Sequence, residues 1–207
     1  LTGASRFQWD YWYIKNQYRF IRTPAQSFFP APLYEAFVKH LISWGQKNLG
    51  CQGISPPWLS YYVDGCYQNL HCDTPHGPWA FVYSLSPSKK AFSGGETMIL
   101  KKSALNFDPT TQRKKQTNEF KELFDIIPSP FNRLSVFDPR FPHGVTRVTG
   151  TEDPMEARLV IHGWFTHPYP HSDTKSNASY SKNTIPQIFA DIEYLTEFLG
   201  PVDGMLV

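Results

Sequence analysis

The chain has 207 residues, of which 41% are hydrophobic, 16% aromatic and 18% charged, with a formal net charge of +2. That length fits one domain with a substantial core, and the composition excludes a disordered chain. The near-neutral balance argues against nucleic acid as a partner, and the lack of any run of about 18 apolar residues argues against a membrane span.

The 18 prolines and 13 glycines, against few long helical patterns, favour strands and loops. In chain order, the aromatic-rich stretch from Phe7 to Ile21 reads as extended structure. Pro30 to Asn48 is the clearest helix: Leu33, Phe37, Leu41 and Trp44 recur at helical spacing, and Gly50 lies just past the end. Its apolar stripe is expected to pack on a sheet.

From Trp58 the pattern changes to short strands: Trp58–Val63, Asn69–Asp73, Trp79–Leu85, Glu96–Leu100, Arg133–Phe137, Gly144–Val148 and Arg158–Phe165. Turn signals such as Asp64-Gly65, Gly77-Pro78, Gly94-Gly95 and Asp138-Pro139 separate many of them. Glu119 to Ile127 is a candidate short helix, and His167 to Asn183 is polar and reads as a loop or lid. Pro186 to Leu199 reads as a second main helix, with Ile188, Ile192, Leu195 and Leu199 on one face. Lys101-Lys102 and Arg113-Lys114-Lys115 read as solvated loop. The expectation is a single domain over residues 1–207, mainly β, with a barrel or sandwich core at about 58–166 and helices at about 30–49 and 186–199. A barrel interior can shelter a small cofactor.

The three cysteines, Cys51, Cys66 and Cys72, form no CxxC pair, which disfavours a structural zinc site. An odd count leaves at least one thiol unpaired within the chain and leans towards a reducing compartment, so a cytoplasmic location is expected. No signal-peptide pattern is visible, although a chain starting at Leu1 leaves a trimmed targeting segment open.

The most informative segment is His71-Cys72-Asp73. On a strand, residues two apart leave the same face, so His71 and Asp73 point together and Cys72 points away. A further histidine, His143, lies far downstream in Phe141-Pro142-His143-Gly144-Val145. Two imidazoles and one carboxylate on one side of a divalent ion leave other coordination positions open, which is the facial triad of non-haem Fe(II) oxygenases. His76 and His162 are the rival ligands. His76 is expected at the entrance. His162 shares a strand face with Arg158, Val160 and Trp164 and is expected to point inward. Trp79 and Trp164 are candidate walls of a substrate pocket, with core packing the default for either.

Four segments occur in a telling order: Tyr62-Val63-Asp64-Gly65 leading into His71-Cys72-Asp73, then Gly94-Gly95-Glu96-Thr97, then Leu134-Ser135-Val136-Phe137 before His143, and last Arg158 to Phe165. With these, the chain resembles the Fe(II)/2-oxoglutarate-dependent dioxygenases, and within them the prolyl-hydroxylase-like group, over about half its length. The resemblance implies a double-stranded β-helix, that is a jelly-roll or cupin-like barrel buttressed by α-helices. It also implies Fe(II) held by His71, Asp73 and His143, with 2-oxoglutarate and O₂ consumed, succinate and CO₂ formed, and ascorbate open as an accessory.

Halogenating relatives lack the carboxylate that Asp73 supplies, so its presence points to oxygen transfer. Arg158 would pair bidentately with the distal carboxylate of 2-oxoglutarate. The interval from His143 to Arg158 is longer than usual in the family, and the excess falls in the polar, turn-rich stretch Gly150 to Glu156. Arg147 is the competing anchor. Tyr61 or Tyr62, of which only one can face inward, is a candidate hydrogen-bond partner for the cosubstrate, as are Tyr83 and His162.

The implied reaction is hydroxylation of an unactivated C–H bond in a small molecule, amino acid or short peptide, with desaturation or ring formation left open. A peptidyl prolyl- or lysyl-type protein hydroxylase and a non-catalytic cupin-like metal-binding module are the alternatives. An AlkB-like nucleic-acid demethylase would carry a second arginine at the position of Trp164, which this chain lacks. Oligomeric state is not legible in the sequence.

Overall fold

The computed structural model describes residues 9–73, 76–87, 91–106, 122–167 and 188–191. The aromatic N-terminal stretch is a hairpin, β1 (Asp10–Ile14) and β2 (Tyr18–Pro24), turned at Asn16, which takes the left-handed φ of 63° that asparagine tolerates. A single helical turn, α1 (Ala25–Phe28), precedes α2 (Ala31–Leu49). Proline opens α2, and Gly50, at φ 68°, closes it by donating its N–H to the Gly45 carbonyl.

The strands then follow: β3 (Gly53–Ile54), β4 (Trp58–Tyr62), β5 (Tyr67–His71), β6 (Trp79–Ser84), β7 (Thr97–Leu100), β8 (Phe124–Ile127), β9 (Arg133–Phe137), β10 (His143–Val145), β11 (Arg158–Thr166) and β12 (Ile188–Asp191). Hydrogen-bonded order runs β12-β9-β6-β11-β4-β2-β5-β10-β7-β8, with β1 on β2 and β3 on β11, and every pair is antiparallel. β4 and β5 lie end to end along one edge of β2 and are separated by the Val63–Cys66 turn. At that corner the sheet rolls over, which gives the jelly-roll-like barrel expected from the sequence.

Strand alternation divides the barrel into a dry back and a polar interior. On β11, Leu159, Ile161 and Phe165 join Leu59, Tyr61, Phe81, Tyr83, Leu134 and Val136 in one core, capped by Phe37 and Leu41 of α2. Each such side chain contributes about 1.5–3 kcal/mol when fully buried. The intervening residues of β11, namely Arg158, Val160, His162 and Trp164, line the interior cavity.

Strands take over parts of two expected helices. In the stretch from Glu119 to Ile127, Glu122 and Leu123 are helical and Phe124–Ile127 pairs with β7. Ile188–Asp191, within the expected helix Pro186 to Leu199, pairs with β9, and the rest of that stretch lies outside the described residues. In both places a free sheet edge offers backbone donors and acceptors that outweigh an apolar pattern of mixed period. Most of the expected lid after His167, and the cluster Arg113-Lys114-Lys115, also lie outside the described residues. Cys51 and Cys66 are buried, Cys72 is exposed, and all three are free thiols. Among the described residues, no helix is long and apolar enough to cross a membrane.

The helix–sheet contact is close enough to test. A Cβ at Gly45 would lie 2.6 and 2.7 Å from ring atoms of Phe165. Alanine improves helix propensity by about 1 kcal/mol, but overpacking costs about 1–3 kcal/mol. Gly45→Ala is therefore expected to lose roughly 1 kcal/mol in urea unfolding. A gain in stability would mean that Phe165 does not seat α2.

Candidate active site

The register of β5 and β10 creates the site. His71 and His143 are direct cross-strand partners, and their ring centroids are 4.5 Å apart. Asp73 lies just beyond the end of β5, where its N–H bonds the Pro139 carbonyl at 3.0 Å. One ligand atom from each of His71, Asp73 and His143 falls within 4.8 Å of the others. The intervening Cys72, also past the end of β5, is exposed, so it points away from the cluster as expected.

The tautomers follow from geometry. Nδ1 of His71 is 2.8 Å from the Asn69 carbonyl oxygen, and Nδ1 of His143 is 2.9 Å from the Phe141 carbonyl oxygen. A carbonyl only accepts, so both Nδ1 atoms carry the proton and both Nε2 lone pairs are free. Those Nε2 atoms face the Asp73 carboxylate, at 3.6 Å from His71 and 3.3 Å from His143. Three acceptors converging on one another are repulsive without a cation between them, and a divalent ion satisfies all three.

Burial, then the neighbouring His143, pushes the His71 imidazole below its usual range and keeps it neutral. Burial raises the Asp73 carboxyl, but positive charge on the facing side, whether a proton on His143 or an ion in its place, outweighs it and favours the carboxylate. Tyr18 and Phe137 pack edge-on against the rings of His71 and His143 and fix their planes.

The same cavity, about 700 Å³, contains Arg158 at 1% exposure. Its Nη2 donates to Thr97 Oγ1 at 3.4 Å, while Nε and Nη1 are buried without any hydrogen-bond partner. Its guanidinium carbon lies 4.5 Å from the centre of the Tyr62 ring. Burying donors of a charged group without acceptors is costly, so this arrangement suits a ligand that brings acceptor oxygens. The Gly94-Gly95 pair makes room for it: both take φ near 77°, and a Cβ on Gly95 would sit 2.7 Å from Arg158 Cδ.

The other expected residues separate cleanly. Tyr62 lines the cavity, its phenol pushed up to about 12 by burial against the opposing pull of Arg158, while Tyr61 packs on Trp9 in the dry core. His162 faces inward, shares a 2.8 Å hydrogen bond with Ser60 Oγ, and is pushed down to about 3 by burial and then by Arg158, so it is neutral. His76 packs on Trp164, with ring centroids 4.5 Å apart, on the cavity wall and outside the ligand cluster. Arg147 is exposed and is spent on the Gly65 carbonyl and the Tyr67 ring.

Tyr83 does not face this cavity. It is buried against Phe37, and its hydroxyl donates to Asn132 Oδ1, so the cosubstrate contact expected of it is not formed. The reason is strand parity: on β6, the face bearing Tyr83 is the one covered by α2. Arg22, Trp12 and Thr97 line the cavity without having been expected there. The available signal was an arginine at period two with Tyr18 and Phe20 on one strand.

The model of the 2OG-Fe(II) oxygenase superfamily matches residues 57–166, more than half of the chain. No curated protein matches it in sequence. Among solved structures, a prolyl-4-hydroxylase from Pseudomonas putida is similar at 17% identity and a TM-score of 0.51, over 75% of this chain and 76% of that one. An oxidoreductase of the 2OG-Fe(II) oxygenase family from Burkholderia pseudomallei is similar at 11% identity and a TM-score of 0.51, over 76% and 73%. At these identities the two structures speak for the fold, and the family match speaks for the chemistry. The chain belongs to the 2OG-Fe(II) oxygenase superfamily and is a dioxygenase of that class.

Proposed function

We propose that this enzyme couples oxidative decarboxylation of 2-oxoglutarate to hydroxylation of an unactivated C–H bond in a small molecule, amino acid or short peptide. The observation that carries the reading is a wholly buried guanidinium with unpartnered donors in the same cavity as three convergent metal-type ligands. A non-catalytic metal-binding module has no use for that guanidinium.

In this reading His71, Asp73 and His143 hold the ferrous ion, two as neutral imidazoles and one as a carboxylate. The Asn69 and Phe141 carbonyls keep both rings in the ligating tautomer. Arg158 takes the distal carboxylate of 2-oxoglutarate, with Thr97 fixing one guanidinium nitrogen and Tyr62 forming the wall beside it. Bound there, the ion and its cosubstrate supply the O₂-dependent oxidation, which leaves succinate and CO₂. The protein supplies orientation and exclusion of water. His162 stays neutral, so it adds no charge beside the Arg158 site. Val82, Phe137 and Val160 keep the interior apolar between these groups.

Two measurements test this. Anaerobic addition of Fe(II) and 2-oxoglutarate is expected to produce a weak visible charge-transfer band, absent in His71→Ala, with succinate released in air. Metal at about 100 times its Kd is expected to stabilise the wild type by about 2.7 kcal/mol. That increment should vanish in His71→Ala. No band with wild-type protein would favour the non-catalytic module.

Arg158→Met separates ligand binding from stability. Removing a buried charge that has no ion-pair partner and two unpartnered donors is expected to leave the ligand-free protein as stable as before or more stable, by about 1 kcal/mol or more. Affinity for 2-oxoglutarate should fall at least tenfold, read by calorimetry. A clear loss of stability in the ligand-free protein would assign Arg158 a structural role instead.

A further inference from the structure

The cavity holds a second guanidinium that the cosubstrate does not use. Arg22, on β2, is half-buried and clamped between two indoles, its guanidinium carbon 3.6 Å from the centre of Trp12 and 3.9 Å from that of Trp58. Both indoles lie under the guanidinium carbon, so what Arg22 offers a ligand is its N–H groups. Its Nε is buried with no hydrogen-bond partner. Asp10 is its cross-strand neighbour on β1 and supports its charge, but the two form no ion pair. The indole NH of Trp164, on the same cavity wall system, is a second buried donor without a partner.

Charge balance points the same way. Among the described acidic and basic side chains, only Arg22, Arg158 and Asp73 line the cavity, apart from the histidines. In the loaded enzyme, the two charges of the ion are matched by the two carboxylates of 2-oxoglutarate, and Asp73 matches one guanidinium. The other guanidinium, Arg22, has no counter-charge inside the cavity, with Asp10 acting on it from outside the lining, and it is the one nearer solvent.

We infer that Arg22, held by Trp12 and Trp58, is a carboxylate-binding group for the compound that is oxidised, so that the prime substrate is a free carboxylic acid with an apolar body. A carboxylate is planar and matches the fork of N–H donors that a guanidinium presents. The walls around it, Pro24, Pro56, Trp12 and Trp58, are suited to an apolar remainder. The inference rests on the reading that Arg158 serves 2-oxoglutarate.

The test uses the full chain loaded with Mn(II) and 2-oxoglutarate, in the absence of oxygen. Phenylacetate and N-acetylphenylalanine are titrated calorimetrically, each against its own uncharged amide. Loss of a charge-assisted hydrogen bond corresponds to about tenfold or more in affinity. Each acid is therefore expected to bind at least tenfold more tightly than its amide. Arg22→Gln should erase that preference, and Arg22→Lys, which keeps the charge and the packed stem, should retain part of it. Circular dichroism checks that both variants fold, and the lysine variant decides the matter if the glutamine variant does not.

No preference for either acid in the wild type would overturn the inference, as would a preference that persists in Arg22→Gln. So would a loss of 2-oxoglutarate affinity in Arg22→Gln as large as that in Arg158→Met, since Arg22 would then hold the cosubstrate. If Arg158→Met leaves 2-oxoglutarate affinity unchanged while the acid preference still depends on Arg22, the cosubstrate assignment fails and the carboxylate site stands.

Discussion

The pairing of His71 with His143 across β5 and β10 is the constraint on which the site depends. In a hydrogen-bonded strand pair, facing side chains are brought within a few ångströms whether or not they attract one another. Here the pairing forces two imidazoles together, and each has its Nδ1 proton tied to a carbonyl two residues back. What remains pointing at Asp73 is a pair of lone pairs. Folding thus assembles an electrostatically unfavourable cluster, and only a cation makes it favourable. The ligands come from a strand end and a short strand, so a shift of register by one residue would turn His143 to the opposite face.

β11 shows how the protein carries this cost. Its even-numbered residues from Arg158 to Trp164 face the cavity, and the odd-numbered residues Leu159, Ile161 and Phe165 face α2. The apolar set buries area against Phe37 and Leu41 and secures the strand. That leaves the polar set free to be under-satisfied. Arg158 and Trp164 both carry buried donors without partners, and both sit on a strand paired along both edges. A group on such a strand has little freedom to swing towards water, which is how a costly orientation persists.

Features that reside in a few consecutive residues were legible in the chain itself. The period of a strand predicts that His71 and Asp73 point together, and the α2 stripe repeats at helical spacing from Leu33 to Trp44. The long interval before Arg158 is absorbed by the turn after Val148, so Arg158 enters the cavity while Arg147 stays on the outside. What failed were questions of partnership. Alternation on β6 says that Phe81 and Tyr83 share a face but not which layer covers it, so Tyr83 went to the wrong side. Ile188 to Asp191 carries apolar residues compatible with either helix or strand, and the free edge of β9, invisible in sequence, decides between them. Arg22 escaped notice for the same reason: nothing local distinguishes an arginine on an aromatic strand from a solvated one until Trp12 and Trp58 are seen to close over it.

The unsatisfied groups at the site are not scattered. Unpartnered donors sit deep, on Arg158, and nearer solvent, on Arg22 and Trp164, with converging acceptors at the ion site in the same cavity. Random imperfection in packing would leave isolated donors or acceptors, each paired with a water. In the proposed reading, a cation site flanked by two separate donor sites is the complement of a positive ion, an acid that reaches from that ion to Arg158, and a second acid that reaches in from Arg22. Dispersing the same groups over the surface would cost the fold nothing. Concentrating them in one cavity is unfavourable until the ligands arrive, and the same concentration makes their binding selective, because a neutral or hydrogen-bond-poor compound leaves the donors as unpaired as it found them.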